Sequence, residues 1–185
     1  MTIAFDTQVF IWGIRRDATQ GKDLVDQALA LLRRVENSAE AGIFPAPVVT
    51  EGLQPIEEQG QQELLAEIMA MGLRVPPLDL SSAPLAASIS RASHMSKEER
   101  DEIGVGRQCM KVDAMIVAIA KRAGARFIVS HDAGLQRAAE VVGLETLTVP
   151  EALERLATEQ ASQGDLFSGL DDNNDEDDED LSAGV

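Results

Sequence analysis

Two carboxylates, Asp113 and Asp132, bracket one compact stretch, KVDAMIVAIAKRAGARFIVSHD, and that spacing constrains the fold more than any other feature of the chain. From Ala114 to Ala123 the residues are apolar or helix-favouring, and Gly124 is a good stop position. FIVS then reads as a short buried strand. A helix of about ten residues descends roughly 15 Å, and a strand of about five residues climbs back roughly 16 Å. Packed antiparallel, the two elements return Asp113 and Asp132 to one level. In an open parallel sheet that level is the carboxyl edge of the strands, where ligands bind. Two acids meeting there point to a metal site or a phosphate-chemistry site.

The N-terminus repeats the arrangement. Thr2-Ile3-Ala4-Phe5 is a minimal hydrophobic strand that delivers Asp6 just before the apolar run Val9-Phe10-Ile11-Trp12. Glu51 is the fourth acid. It follows IFPAPVVT, in which Ile43-Phe44 read as a strand and Pro47 suits the first turn of a helix. Asp is also among the best N-cap residues, and Asp6, Asp113 and Asp132 all stand at predicted helix starts. Capping explains any one of them singly; it does not explain four acids on one edge.

Amphipathic spacing predicts helices over Lys22–Glu40 and Gln61–Met71, with an Ala- and Ser-rich helix over Ser81–Met95. Leu73-Arg74-Val75 reads as a short strand before Pro76-Pro77. Ser96–Glu99 fits a capping box for a further helix, and Gly104–Gly106 a turn. After Asp132 come a helix near Leu135–Val142, a strand at Glu145–Val149 and a last helix opened by Pro150. Pro55 requires the helix bearing Glu51 to kink, or to end and restart. Alternating helices and short strands predict a three-layer α/β/α domain with a central parallel sheet over residues 1–160, followed by a tail over 161–185.

The tail distorts the charge. Residues 165–185 carry nine acids and no Lys or Arg, so the formal net charge of −16 falls to −7 for the body. DDNNDEDDED repels itself and is expected to be disordered. Even the body is acidic, so holding a polyanion at the four carboxylates requires divalent cations to invert the local field. Five Phe, one Trp and no Tyr argue against a stacking platform for single strands. The single cysteine, Cys109, rules out an intramolecular disulfide and a cysteine-rich zinc site. Neither His94 nor His131 has a Ser or Cys partner for a hydrolase triad. No stretch is long and apolar enough to span a membrane, and a basic-then-apolar leader pattern is absent, so a cytoplasmic protein is expected.

A strand ending in Asp6-Thr7, a Glu early in a helix after a Pro-containing segment, Asp113 opening an apolar helix, and a strand ending in Ser130-His131-Asp132 together resemble a PIN domain. The resemblance runs from Ile3 to about Leu156. It is closest to the single-domain bacterial PIN nucleases that include toxins of toxin–antitoxin pairs. It implies a ribonuclease dependent on Mg²⁺ or Mn²⁺, with Asp6, Glu51, Asp113 and Asp132 as the acidic quartet. Thr7 and Ser130 match positions where such proteins often carry a hydroxyl. Arg15, Arg16 and His131 are the further candidates for substrate contact. The expected partner is RNA, with an antitoxin protein and a second copy of the chain as further candidates. The acidic tail and the long stretch between Glu51 and Asp113 are departures from the pattern. Within the tail, Gln163-Gly164-Asp165-Leu166-Phe167 resembles the short peptide by which bacterial proteins dock on the replication sliding clamp. Two other readings stand beside these. One is a non-catalytic binding module acting through the acidic edge or the tail. The other is a phosphoryl acceptor like a receiver domain, against which the chain lacks a paired Asp-Asp after the first strand and a late Lys.

Overall fold

The computed structural model describes residues 1–93 and 107–168, the side chains of 107–109 and 161–168 excepted. Four strands, β1 (Thr2–Phe5), β2 (Ala41–Ile43), β3 (Ala125–Val129) and β4 (Glu145–Leu147), form a wholly parallel sheet in the order β2-β1-β3-β4. Helices α1 (Thr7–Gly13), α2 (Lys22–Glu36), α3 (Ala46–Leu53), α4 (Glu58–Ala70), α5 (Ala83–Ala92), α6 (Arg107–Arg122) and α7 (Ala133–Glu140) flank it, giving the expected α/β/α layering, and α8 (Val149–Ser168) follows β4 in the chain. The chain divides into two units, Met1–Leu153, which contains the whole sheet, and Glu154–Val185, which begins within α8. Among the described residues no helix is long and apolar enough to cross a membrane.

The last three residues of each central strand are apolar because a parallel sheet is covered on both faces. Ile3, Ala4 and Phe5 pair with Phe127, Ile128 and Val129, and all six are fully buried. The chain leaves β1 toward β2 on one side, whereas β3 and β4 lie on the other. The carboxyl ends of β1 and β3 therefore flank the point where the strand order reverses, which is where open α/β sheets place their ligands.

The structure differs from the sequence reading at Asp113 and at Leu73–Val75, whereas Pro55 acts as expected. Helix α6 starts at Arg107, so Asp113 lies within the helix and caps nothing. An Asp beside an apolar run looks like a helix start, and here the helix simply continues upstream of it. Leu73–Val75 forms no strand but a single bridge from Arg74 to Ile43, because the prolines at 76 and 77 have no N–H to extend a ladder. Pro55 ends one helix and allows another: α3 stops at Leu53 and α4 begins at Glu58. His94, Ser96–Glu99, Gly104–Gly106, the side chain of Cys109, the side chains of Gln163–Phe167 and the acidic run from Asp171 lie outside the described residues.

The close approach of α3 to α1 depends on Gly52. A Cβ there would collide with the ring of Phe10, which is fully buried and packs edge-on against Phe44 with centroids 5.4 Å apart. Gly52→Ala is expected to cost about 1–3 kcal/mol through overpacking. For a chain of this size that lowers the thermal midpoint by roughly 2–12 °C, readable by differential scanning calorimetry.

Candidate active site

Asp6 is set by the end of β1. Its backbone N–H donates to the Val129 carbonyl at 3.1 Å, the last rung between the two central strands. Its extended conformation makes it the N-cap of α1, with Oδ1 accepting from the Thr7 N–H. The other carboxylate oxygen, Oδ2, accepts from Ser130 Oγ at 2.6 Å. Ser130 follows β3 directly and is itself wholly buried, and its hydroxyl also accepts from the Asp132 N–H at 2.9 Å. One buried hydroxyl thus ties together the two acids that terminate the central strands. Asp132 is exposed and caps α7, its Oδ1 accepting from the Leu135 N–H at 2.9 Å. Capping is therefore a real role of Asp6 and Asp132, and it occupies Oδ1 of each.

Asp113 and Glu51 reach the same edge from helices. A Cβ placed on Gly134 would lie 2.9 Å from Asp132 Oδ1 and 3.1 Å from Asp113 Oδ2, so these two oxygens are within about 6 Å of each other. Glu51 is exposed on α3, and its Oε2 accepts from Thr7 Oγ1 at 2.6 Å.

Burial and mutual repulsion dominate the electrostatics. Asp6, only 4 % exposed, is pushed up to about 6, first by desolvation and then by the negative charges of Asp132 and Glu51. The hydrogen bonds from Ser130 and Thr7 oppose that rise. Asp113 is pushed up to about 7 by desolvation and by Asp132, Asp6 and Glu51. Among the described residues no basic side chain is among the charges acting on either acid. Carboxylate oxygens with no protein counter-charge are the donor set that hard divalent cations take. Among the described residues no three acidic, His or Cys side chains already close on one point as a finished ligand cage. The acids are neighbours around a gap.

The residues expected to touch substrate divide. Thr7 is half-buried and directs Glu51. Ser130 has no exposed surface, and its hydroxyl donates to Asp6 and accepts from the Asp132 N–H. The His131 ring accepts from the Val149 N–H at 3.0 Å through Nε2 and packs edge-on to Trp12, 5.1 Å between centroids. That holds the start of α8 to the end of β3. Burial pushes the His131 pKa down, consistent with a neutral ring that accepts. Arg15 pairs with Asp17 at 3.4 Å, and Arg16, in the left-handed region at φ +55°, pairs with Glu67. Neither is brought among the charges acting on Asp6 or Asp113, because α1 carries the chain roughly 10 Å away from Asp6 before they occur. Arg15 instead lines an open groove of about 400 Å³ with Ile56 and Leu64, which none of the four acids borders. Gly134 escaped the sequence reading, although a glycine two residues after Asp132 was in plain view.

No curated protein matches the chain. Among solved structures it is similar to VapBC2 from Rickettsia felis bound to a DNA fragment from their promoter, with a TM-score of 0.52 and 14 % identity. The match covers 80 % of this chain and 98 % of that one, and at such identity it establishes a shared fold. The family model for the PIN domain matches residues 3–141, from β1 to the end of α7, a span that holds the two central strands and all four acids of the edge. With the match extending over most of its length and the sheet order and acidic edge in place, the chain belongs to the PIN domain family.

Proposed function

We propose that this protein is a ribonuclease that hydrolyses phosphodiester bonds with Mg²⁺ or Mn²⁺ held by Asp6, Glu51, Asp113 and Asp132. The observation that carries the reading is the meeting of four carboxylates at the switch point of the sheet, with Asp6 and Asp113 raised by burial and by the charges of their acidic neighbours and, among the described residues, no basic side chain acting on either. When bound, a divalent cation supplies Lewis-acid charge to the phosphate and activates water. The chain's own residues prepare the place. Ser130 fixes Asp6 and Asp132 relative to each other, and Thr7 turns Glu51 by its Oε2. Glu51, exposed at the rim, completes the ligand set or orients the attacking water. Because the body is itself acidic, cation charge is also what lets a polyanion approach. The resemblance to single-domain PIN nucleases that include toxins extends the proposal to an antitoxin partner, in line with the fold shared with VapBC2.

Incubation of the purified protein with a mixed pool of structured RNA tests this. Cleavage with Mg²⁺ or Mn²⁺, abolished by EDTA, is the expected result; intact RNA under every condition would count against it. The second reading, a PIN-fold binding module without catalysis, draws on the absence of a closed ligand cage among the described residues. It predicts that neither cation moves the thermal midpoint.

A further inference from the structure

We infer that Gly134 is a positioning residue of this site: by lacking a side chain it keeps open the space between Asp113 and Asp132 that a divalent cation needs. The inference rests on the metal-dependent reading above and adds to it a residue that carries no ligand atom.

Gly134 lies in the first turn of α7, two residues after the capping Asp132, with no left-handed backbone angle to demand glycine. Its freedom is therefore not conformational. In that position glycine costs up to about 1 kcal/mol of helix propensity relative to alanine, so the backbone alone favours the replacement. What a Cβ would meet is the functional edge itself, Asp132 Oδ1 at 2.9 Å and Asp113 Oδ2 at 3.1 Å. Asp132 Oδ1 cannot simply swing aside, because it accepts from the Leu135 N–H at 2.9 Å and α7 is capped through it. Asp113 would have to yield, and it is half-buried on α6, which packs against α7. A methyl group at 134 would thus occupy the gap and turn one carboxylate away from the other. The packing of the core would be untouched, since among the described residues the contacts within 3.4 Å are two carboxylate oxygens and no apolar atom.

The test is Gly134→Ala in the full chain, with Mn²⁺ as probe, read by isothermal titration calorimetry and by the thermal midpoint in EDTA. The expected result is a wild-type midpoint in EDTA with Mn²⁺ affinity weakened about 10-fold to 100-fold, the range for residues that orient metal ligands. Ala133→Ser, at the exposed neighbouring position, should bind Mn²⁺ as the wild type does. Unchanged Mn²⁺ affinity in Gly134→Ala would overturn the inference. So would a large fall of its EDTA midpoint, which would assign the glycine to the packing of α7. A wild-type protein that takes up no Mn²⁺ would instead sink the metal reading itself, which separates the two failures.

Discussion

Asp113→Asn is expected to lose metal-dependent RNA cleavage by a factor on the order of 10²–10³ while becoming more stable in the absence of metal. The loss follows from removing one anionic ligand whose contribution to transition-state charge stabilisation is several kcal/mol, each ~1.4 kcal/mol being a factor of ten in rate. The gain follows from the same geometry. Asp113 is half-buried within α6, where it caps nothing, and its charged neighbours are Asp132, Asp6 and Glu51. Asn has nearly the same volume and helix propensity, so the substitution relieves repulsion without disturbing the helix. A rate assay with saturating Mn²⁺ and a melting curve in EDTA at pH 7.5 measure the two arms. Undiminished cleavage would remove Asp113 from the site. A lower midpoint in EDTA would show that its carboxylate does structural duty after all.

The second large effect is a stability that runs opposite to that of most proteins with paired carboxylates. Asp6 and Asp113 bind protons more tightly in the folded chain, at about 6 and about 7, than at their ordinary value of 3.8. Between pH 4 and pH 7 the native state therefore holds more protons than the unfolded state, and raising the pH destabilises it. The stabilisation is full below about pH 4, is lost as the pH climbs through 6 and 7, and totals on the order of a few kcal/mol for the two groups. Melting curves in EDTA should accordingly show the midpoint falling across that window. Under the proposed function Mg²⁺ or Mn²⁺ would replace the protons, so the midpoint rise on adding metal should be small at pH 5 and large at pH 8. A metal-induced shift of equal size at both values would mean that the cation binds somewhere other than this cluster.

Much of the site was legible because it depends on short-range lengths. The distance from Asp113 to the end of its helix and back along β3 does not involve the helix start, so misplacing that start by several residues left Asp113 and Asp132 at the same level. Asp6 was likewise placed by a four-residue strand that ends one residue before it. The arginines show the opposite case. Proximity in sequence suggested that Arg15 and Arg16 serve the site, but one helix of seven residues separates them from Asp6, and each found an acidic partner of its own.

Period, strand length and the position of acids after apolar runs are local quantities, and through them the sequence by itself determined a parallel α/β/α sheet with Asp6, Glu51, Asp113 and Asp132 on its carboxyl edge. Tertiary structure alone decided which atoms face one another there. That Ser130 is buried and joins Asp6 to Asp132, that Thr7 holds Glu51, that His131 anchors α8, and that Gly134 leaves a gap between two carboxylates all depend on elements separated in sequence. The reason is physical: a hydroxyl or an absent methyl has no signature in periodicity, and its role exists only once packing has brought its partners within hydrogen-bond or van der Waals distance.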